Sequence, residues 1–235
     1  MFNPRPDVQV VPLFDGHHCL VIDNALQEPR RWVDWACQQR EHFRLSAHAY
    51  PGLELWLAEA ATAQFAGYFA EHVRGRFGAR RTLALSNRLS LVTVAPDDLL
   101  PRQRLCHRDN PGVPAGQCMV ASVIYLFEDA ALGGTSFFRP RHGPERTEVL
   151  AHDARVLDKT GFAQRYRELG SGYMVDSNDW FERMATLPAR WNRAIFYDGG
   201  LYHSGAIREP LRMSADPARG RLTMNGFMHC RRNAA

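Results

Sequence analysis

The chain lacks the cysteine density of a disulfide-stapled protein. Its five cysteines, Cys19, Cys37, Cys106, Cys118 and Cys230, include no C-x-x-C pair. Secreted disulfide frameworks use even numbers of closely spaced cysteines in short chains. The observed spacing therefore favours a reducing compartment, in which the thiols stay free.

Long apolar runs are also missing. No stretch of about 18 apolar residues occurs, which is the length a membrane-spanning helix needs. The first residues do not show the basic, then apolar, then small-residue pattern of a secretory signal. These absences predict a soluble, cytoplasmic protein that has no membrane partner.

A strong excess of one charge is absent as well. The 29 basic and 25 acidic residues give a formal net charge of +4, and the arginines are scattered along the 235 residues. This distribution argues against a nucleic-acid partner. A hydrophobic fraction of 45% is ordinary for globular proteins, and the length suits a single domain over residues 1–235 with a large core.

Helical and strand patterns are segregated along the chain, which favours an α+β protein built on an antiparallel sandwich or barrel. We expect a helical N-terminal part over about residues 1–80, a sheet part over about 82–230, and an insertion at about 140–188. One predicted helix begins at Pro29. Three further helices are predicted at about residues 53–77, 162–169 and 179–184. The predicted strands are 18–22, 82–94, 120–127, 135–138, 194–197, 201–204 and 221–229.

His107 and Asp109 form the pair with the clearest chemical meaning. In an extended strand, residues i and i+2 point to the same face, so the imidazole and the carboxylate can converge while Arg108 turns away. Two histidines and one carboxylate on one face of Fe(II) leave the opposite positions open for substrate or O2. His203, which follows a glycine turn, is the candidate third ligand. A hydrogen-bonded loop pair and a half-buried histidine remain the alternative interpretation.

A second group of polar residues lies on an alternating strand at 221–227. Alternation places Arg221, Thr223 and Asn225 on one face. A guanidinium matches the fork of a carboxylate, and a neighbouring hydroxyl can donate a further hydrogen bond. Charged hydrogen bonds contribute roughly 1.5–3 kcal/mol each, so this face could hold the distal end of a dicarboxylate. A surface ion pair of Arg221 is the alternative.

Taken in order, these residues resemble the H-x-D…H…R pattern of the 2-oxoglutarate and Fe(II)-dependent oxygenase superfamily. Residues 122–127, Ser-Val-Ile-Tyr-Leu-Phe, look like the strand after the H-x-D turn. Residues 133–138, Gly-Gly-Thr-Ser-Phe-Phe, look like the superfamily's Gly-Gly-x-x-Phe strand. Residues 20–26 and the helix after them are similar to prolyl-hydroxylase-type members. The whole chain resembles a group of bacterial proteins of unknown activity in this superfamily, most densely over residues 105–229.

The resemblance implies a double-stranded β-helix, or jelly-roll, core with N-terminal helices packed against it. It implies that His107, Asp109 and His203 bind Fe(II) as the catalytic metal. Arg221 and Thr223 would hold the distal carboxylate of 2-oxoglutarate, and Tyr125 would contact the same cosubstrate. The implied activity is that of a dioxygenase of the hydroxylase type, which uses O2 on an unidentified small-molecule or peptide substrate.

Alternatives remain open at this level. Arg208 or Arg212 could take the anchoring role in place of Arg221. A cupin-like metalloprotein that does not use 2-oxoglutarate, or a non-catalytic β-sandwich binding protein, could carry the same metal-site outline. A buried cation at residue 221 distinguishes the oxygenase from the cupin-like protein, because only the oxygenase needs it.

Overall fold

The structure is a computed structural model that describes residues 1–46, 49–109 and 112–233. The strands are β1 (Gln9–Pro12), β2 (His18–Ile22), β3 (Arg44–Leu45), β4 (Gly52–Trp56), β5 (Ala79–Val92), β6 (Gln117–Tyr125), β7 (Thr135–Pro140), β8 (Phe181–Leu187), β9 (Ala194–Asp198), β10 (Tyr202–Gly205) and β11 (Leu222–Arg232). The α-helices are α1 (Pro29–Gln38), α2 (Glu59–His72), α3 (Pro144–Val156) and α4 (Lys159–Arg165). In the described ranges, no helix is both long and apolar enough to cross a membrane.

The strands form two antiparallel sheets. The major sheet has the order β1-β2-β9-β6-β11-β5-β4-β3, and the minor sheet has the order β10-β7-β8. Side chains of both sheets meet in one apolar cluster, in which Phe137 of the minor sheet packs with Tyr125 and Tyr197 of the major sheet. This arrangement of facing sheets confirms the predicted α+β class with a jelly-roll core.

The N-terminal helices cover the outer face of the major sheet, as predicted. Pro29 stands in the first turn of α1, where its missing N–H costs nothing, and the helix buries Val33 and Ala36. Phe65 and Phe69 of α2 are fully buried and contact the ring of Phe196 on β9. Each buried aromatic ring contributes about 1.5–3 kcal/mol, so α2 is held mainly by these contacts.

The prediction of a helix over residues 53–77 is wrong for its first residues, because α2 begins only at Glu59. Residues 52–56 form β4, which pairs with β5 from Gly52 opposite Val92 to Trp56 opposite Arg88. The segment alternates in burial, with Glu54 buried and its neighbours partly exposed. That period of two is the strand signal, and the Ala, Leu and Glu content of the following helix obscured it.

The predicted helix at 179–184 is also wrong, because residues 181–187 form β8. This strand pairs with β7 along its length, with Leu187 opposite Thr135 and Phe181 opposite Pro140. The sequence Phe-Glu-Arg-Met-Ala-Thr-Leu has no strong strand propensity, and pairing with β7 decides its conformation. The segment 140–188, predicted as an insertion, thus ends in a strand of the minor sheet, after α3 and α4. The first 80 residues likewise supply β1 to β4 besides two helices.

Candidate metal centre and its cavity

His107 and His203 are joined through their backbones. The N–H of His107 donates to the carbonyl oxygen of His203 at 3.0 Å, and the reverse bond measures 2.9 Å. This isolated bridge attaches residue 107 to β10. His107 therefore lies in a single β-bridge rather than in a continuous strand, and the bridge brings the two imidazole rings to 4.4 Å between centroids.

Asp109 is fixed two residues later. Its N–H donates to the carbonyl oxygen of Gly199 at 2.7 Å. The carboxylate then lies 3.8 Å from Nε2 of His107 and 3.4 Å from Nε2 of His203. One ligand atom from each of the three side chains lies within 4.8 Å of the others, so the structure brings the predicted triad together.

The orientation of the His203 ring suits a metal ligand. Its Nδ1 lies 2.9 Å from the carbonyl oxygen of Leu201, and since a carbonyl only accepts, Nδ1 carries the proton. Nε2 of the neutral ring then carries a lone pair that faces Oδ2 of Asp109. This oxygen is buried and has no hydrogen-bond partner among the described residues. Two lone-pair atoms face each other at 3.4 Å, an arrangement that a cation between them stabilises.

Desolvation sets the protonation of these groups. Burial lowers the pKa of His203 to about 4, opposed by its bond to Leu201. Desolvation and the nearby His203 also lower the pKa of His107, although 49% of its side chain is exposed. Burial raises the pKa of Asp109, against the charges of His107 and Arg88. Both histidines are neutral near pH 7, the state that binds metal.

Arg221 lies immediately before β11 and is 5% exposed. Its Nε donates to the carbonyl oxygen of Gly133 at 3.1 Å, and its Nη2 donates to that of Gly134 at 2.9 Å. No carboxylate of the described residues lies within 4.0 Å of its guanidinium. A buried charge without a counter-charge is costly, so this position favours an anionic ligand.

The two alternative arginines lie elsewhere. Arg208 forms a bidentate pair with Asp176, and Arg212 pairs with Asp129. Both arginine side chains are about half exposed, and neither lines the cavity that contains the triad.

Thr223 and Tyr125 face each other across β11 and β6, but only Thr223 lines the cavity. The Thr223 hydroxyl is buried and has no hydrogen-bond partner of standard geometry within the part of the chain that the structure describes. The Tyr125 hydroxyl is instead 2.8 Å from that of Thr135, and its ring lies 6.0 Å from the Arg221 guanidinium carbon. Tyr125 thus does not line the cavity, but it contacts Thr135 and Arg221, which do.

The triad and Arg221 open into one cavity of about 210 Å³. The lining residues that sequence reasoning missed include Tyr50, Arg88 and Tyr173. The Tyr50 hydroxyl is buried and has no hydrogen-bond partner of standard geometry among residues 1–46, 49–109 and 112–233. Burial raises its pKa to about 12, opposed by the charge of Arg221 and by the interaction with the Thr223 hydroxyl. Alternation along β5, which puts residues 88 and 90 on one face, could have indicated Arg88.

The sequence model of one protein family matches residues 4–228 of this chain. Its description reads "Family of unknown function (DUF6445)". The chain belongs to this family. No curated protein matches the DUF6445 chain.

Solved structures resemble this DUF6445 protein in fold. HygX from Streptomyces hygroscopicus, with nickel and 2-oxoglutarate bound, has a TM-score of 0.50 at 13% identity, over 93% of this chain and 84% of that chain. SnoK, a non-heme alpha ketoglutarate dependent carbocyclase from nogalamycin biosynthesis, has a TM-score of 0.49 at 14% identity, over 91% and 79%. A prolyl hydroxylase from Trichoplax adhaerens has a TM-score of 0.46 at 10% identity, over 91% and 83%. The similarity to HygX confirms the jelly-roll fold.

Proposed function

We propose that this protein is a non-haem Fe(II), 2-oxoglutarate-dependent dioxygenase of the hydroxylase type. The observation that carries the proposal is the presence in one cavity of two different sites. One is the His107, Asp109 and His203 ligand set, and the other is the buried Arg221 without a carboxylate partner. A metal site alone would suit a cupin-like protein, whereas the unpaired cation supplies a reason for a dicarboxylate.

The residues present fit Fe(II). Two histidines and one carboxylate are the facial set that leaves coordination positions open for O2 and a cosubstrate. Oδ2 of Asp109 lacks a hydrogen-bond partner in the described part of the chain, and Nε2 of His203 is oriented by the hydrogen bond of Nδ1 to the carbonyl oxygen of Leu201. When bound, iron and 2-oxoglutarate supply the oxidising chemistry with O2, and 2-oxoglutarate is converted to succinate and CO2.

The chain's own residues then bind and orient the cosubstrate. Arg221 uses Nε and Nη2 to hold itself against Gly133 and Gly134, and its remaining N–H groups are available to the distal carboxylate. The hydroxyl of Thr223, which lies beside that of Tyr50 and has no hydrogen-bond partner of standard geometry among the described residues, would donate to the same carboxylate. Tyr125 would support this site by packing against Arg221 and hydrogen bonding to Thr135.

Aromatic side chains restrict water around the metal ligands. The Tyr197 ring centroid lies 4.8 Å from that of His203, and the Phe137 centroid lies 6.5 Å from it. Both aromatic residues are buried. Exclusion of water beside the metal ligands strengthens electrostatic interactions in the site and limits side reactions.

Anaerobic titration of the Fe(II)-loaded protein with 2-oxoglutarate tests the proposal. We expect a weak visible charge-transfer band, and we expect Arg221→Ala to lose the band while Fe(II) binding persists. Arg212→Ala is the matched control, because Arg212 is exposed and lies outside the cavity. Iron binding without a band in the wild type would favour the cupin-like protein.

The ligand assignment has its own test. His107→Ala and Asp109→Ala should each abolish stoichiometric Fe(II) binding, because two of three ligands do not complete the facial set. Metal content is measured after gel filtration. Full iron occupancy in either variant would contradict the assignment, and absence of iron binding in the wild type would favour a non-catalytic binding protein.

The substrate would be a small molecule or a peptide that enters the same cavity. Arg88 and Phe227 line the cavity, and the Arg88 guanidinium carbon lies 4.5 Å from the Phe227 ring centroid. Trp56 lies on the other side of Arg88, at 5.1 Å. Hydroxylation is checked by the gain of one oxygen atom in a candidate substrate, coupled to succinate formation.

A further inference from the structure

Two cysteines stand directly opposite each other on the central strands of the major sheet. Cys118 on β6 pairs with Cys230 on β11, and both are buried in the same apolar cluster. Directly opposed residues in antiparallel strands have Cα atoms about 4.5–5.5 Å apart and side chains on one face. This separation lies within the range of about 4.4–6.8 Å that a disulfide spans.

A second cavity is lined by one of these two residues. It has a volume of about 230 Å³, and its lining includes Cys118, His18, Arg76 and Arg232. Cys230 is fully buried and does not line this cavity. A small uncharged oxidant in the cavity would therefore meet Cys118 first and Cys230 only through it.

The surroundings favour the thiolate of Cys118 over those of the other buried cysteines. The neighbouring Cys230 thiol and the charge of Arg232 lower the pKa of Cys118, against burial. Burial raises the pKa of Cys19 to about 12 and that of Cys106 well above its usual range. Since the thiolate is the nucleophile, Cys118 is the more reactive buried cysteine.

We propose that Cys118 is a site of oxidation by hydrogen peroxide and that Cys230 is its resolving cysteine. The Cys118 thiolate attacks one peroxide oxygen, the O–O bond breaks, and the released hydroxide takes up a proton to become water. The sulfur of Cys230 then attacks the sulfur of the Cys118 sulfenic acid, and the S–O bond breaks. The Cys230 proton leaves with the hydroxyl group as a second water, so two thiols and one peroxide give one disulfide and two waters.

This site is independent of the proposed oxygenase activity. It lies at the far end of the β6–β11 ladder from the Tyr125 and Thr223 pair. The reaction needs no bound metal, and the oxidant is the added peroxide. The two proposals can therefore fail separately.

The test treats the folded, full-length protein with hydrogen peroxide after a chelator has removed adventitious metal. Thiols are blocked, the protein is digested without reduction, and peptides are identified by mass spectrometry. We expect a Cys118–Cys230 linked peptide that has lost two hydrogen atoms. We also expect it to form at least about tenfold faster than any oxidation of Cys19 or Cys106, in line with their raised pKa values. Reduction with dithiothreitol should restore both thiols.

Variants separate the two roles. In Cys230→Ala, a dimedone adduct should accumulate on Cys118, because its sulfenic acid cannot be resolved. In Cys118→Ala, Cys230 should stay reduced, because it does not line the cavity. Cys19→Ala is the matched control and should form the disulfide at the wild-type rate. Circular dichroism and thermal unfolding confirm that each variant is folded.

Two results would overturn the proposal. One is a folded wild-type protein in which both thiols survive peroxide that already oxidises the partly exposed Cys37. The other is a sulfenic acid on Cys118 that lasts as long in the wild type as in Cys230→Ala. If Cys230→Ala does not fold, Cys230→Ser serves for the same comparison.

Discussion

Asp109 and Gly199 are in direct backbone contact, and a side chain at residue 199 would crowd Asp109. A Cβ added at Gly199 would lie 3.1 Å from Cβ of Asp109 and 2.9 Å from Cγ of Met119. We therefore expect Gly199→Ala to displace Asp109 and to weaken Fe(II) binding by about 10-fold to 100-fold, the usual effect of disturbing a ligand's support. Competition with a metal-sensitive dye measures this affinity.

The control for that prediction is Gly67→Ala. A Cβ on Gly67 in α2 would meet no atom within 4 Å, and alanine favours a helix interior. Fe(II) affinity should stay at the wild-type value. An unchanged affinity in Gly199→Ala as well would show that Asp109 does not depend on this contact.

The pKa of His203 predicts how the stability of the metal-free protein depends on pH. In the folded state this pKa is lowered to about 4 from its ordinary value of 6.5, so between these values the unfolded state binds more protons. Stability therefore falls as the pH falls from 6.5 to 4, by up to about 3 kcal/mol from this residue. The raised pKa of Asp109 acts in the opposite direction and reduces the total.

Urea unfolding across this pH range measures the effect. His203→Gln should flatten the pH dependence, because glutamine does not titrate. The same pH dependence in the wild type and in His203→Gln would contradict the buried, neutral state of His203.

Tyr50→Phe should weaken 2-oxoglutarate binding by about tenfold and leave Fe(II) affinity unchanged. The raised pKa, about 12, keeps the hydroxyl protonated at neutral pH, and its place near Arg221 and Thr223 suits donation to the same carboxylate. One hydrogen bond to a charged group contributes about 1.5–3 kcal/mol, and 1.4 kcal/mol is about a factor of ten. Anaerobic titration measures the dissociation constant.

Tyr68→Phe is the matched control for this variant. The Tyr68 hydroxyl is also buried without a hydrogen-bond partner in the described ranges, but the residue belongs to α2 and packs in the core on the outer face of the major sheet. Its loss should not change 2-oxoglutarate affinity. Equal effects of the two substitutions would assign the Tyr50 effect to general packing.

Gly134→Ala should destabilise the protein by about 1–3 kcal/mol or more, the cost of forcing atoms into a packed site. A Cβ at residue 134 would lie 1.9 Å from the Leu187 carbonyl oxygen, and moving the loop would shift the carbonyl that holds Arg221. Gly143→Ala, where a Cβ meets nothing within 4 Å, is the control. Denaturant midpoints of the two variants give the comparison, and equal midpoints would refute the prediction.

The sequence predicted those parts of the site that depend on local periodicity. The i, i+2 relation joined His107 to Asp109, and alternation placed Arg221 and Thr223 on one face, as the structure shows for their shared cavity. The strands at 82–94 and 221–229 correspond to β5 and β11 within a few residues. In each case the signal lies within a few consecutive residues.

The missed parts depend on contacts between distant segments. Tyr50 reaches the cavity because β4 pairs with β5, and the prediction of a helix over residues 53–77 removed that strand. The conformation of β8 comes from its pairing with β7, about 45 residues away along the chain, which no local pattern reveals. The facing cysteines likewise became visible only with the β6–β11 register.

Arg221 has a further consequence for how this protein can change. Its side chain begins beside β11 of the major sheet and hydrogen bonds to the loop that enters β7 of the minor sheet. The same guanidinium thus links the two sheets through hydrogen bonds and would also select the anionic cosubstrate. A substitution of Arg221 that adapts the cavity to another cosubstrate also removes these hydrogen bonds between the sheets. Such a change of ligand preference would therefore need a second substitution that restores the free energy of unfolding.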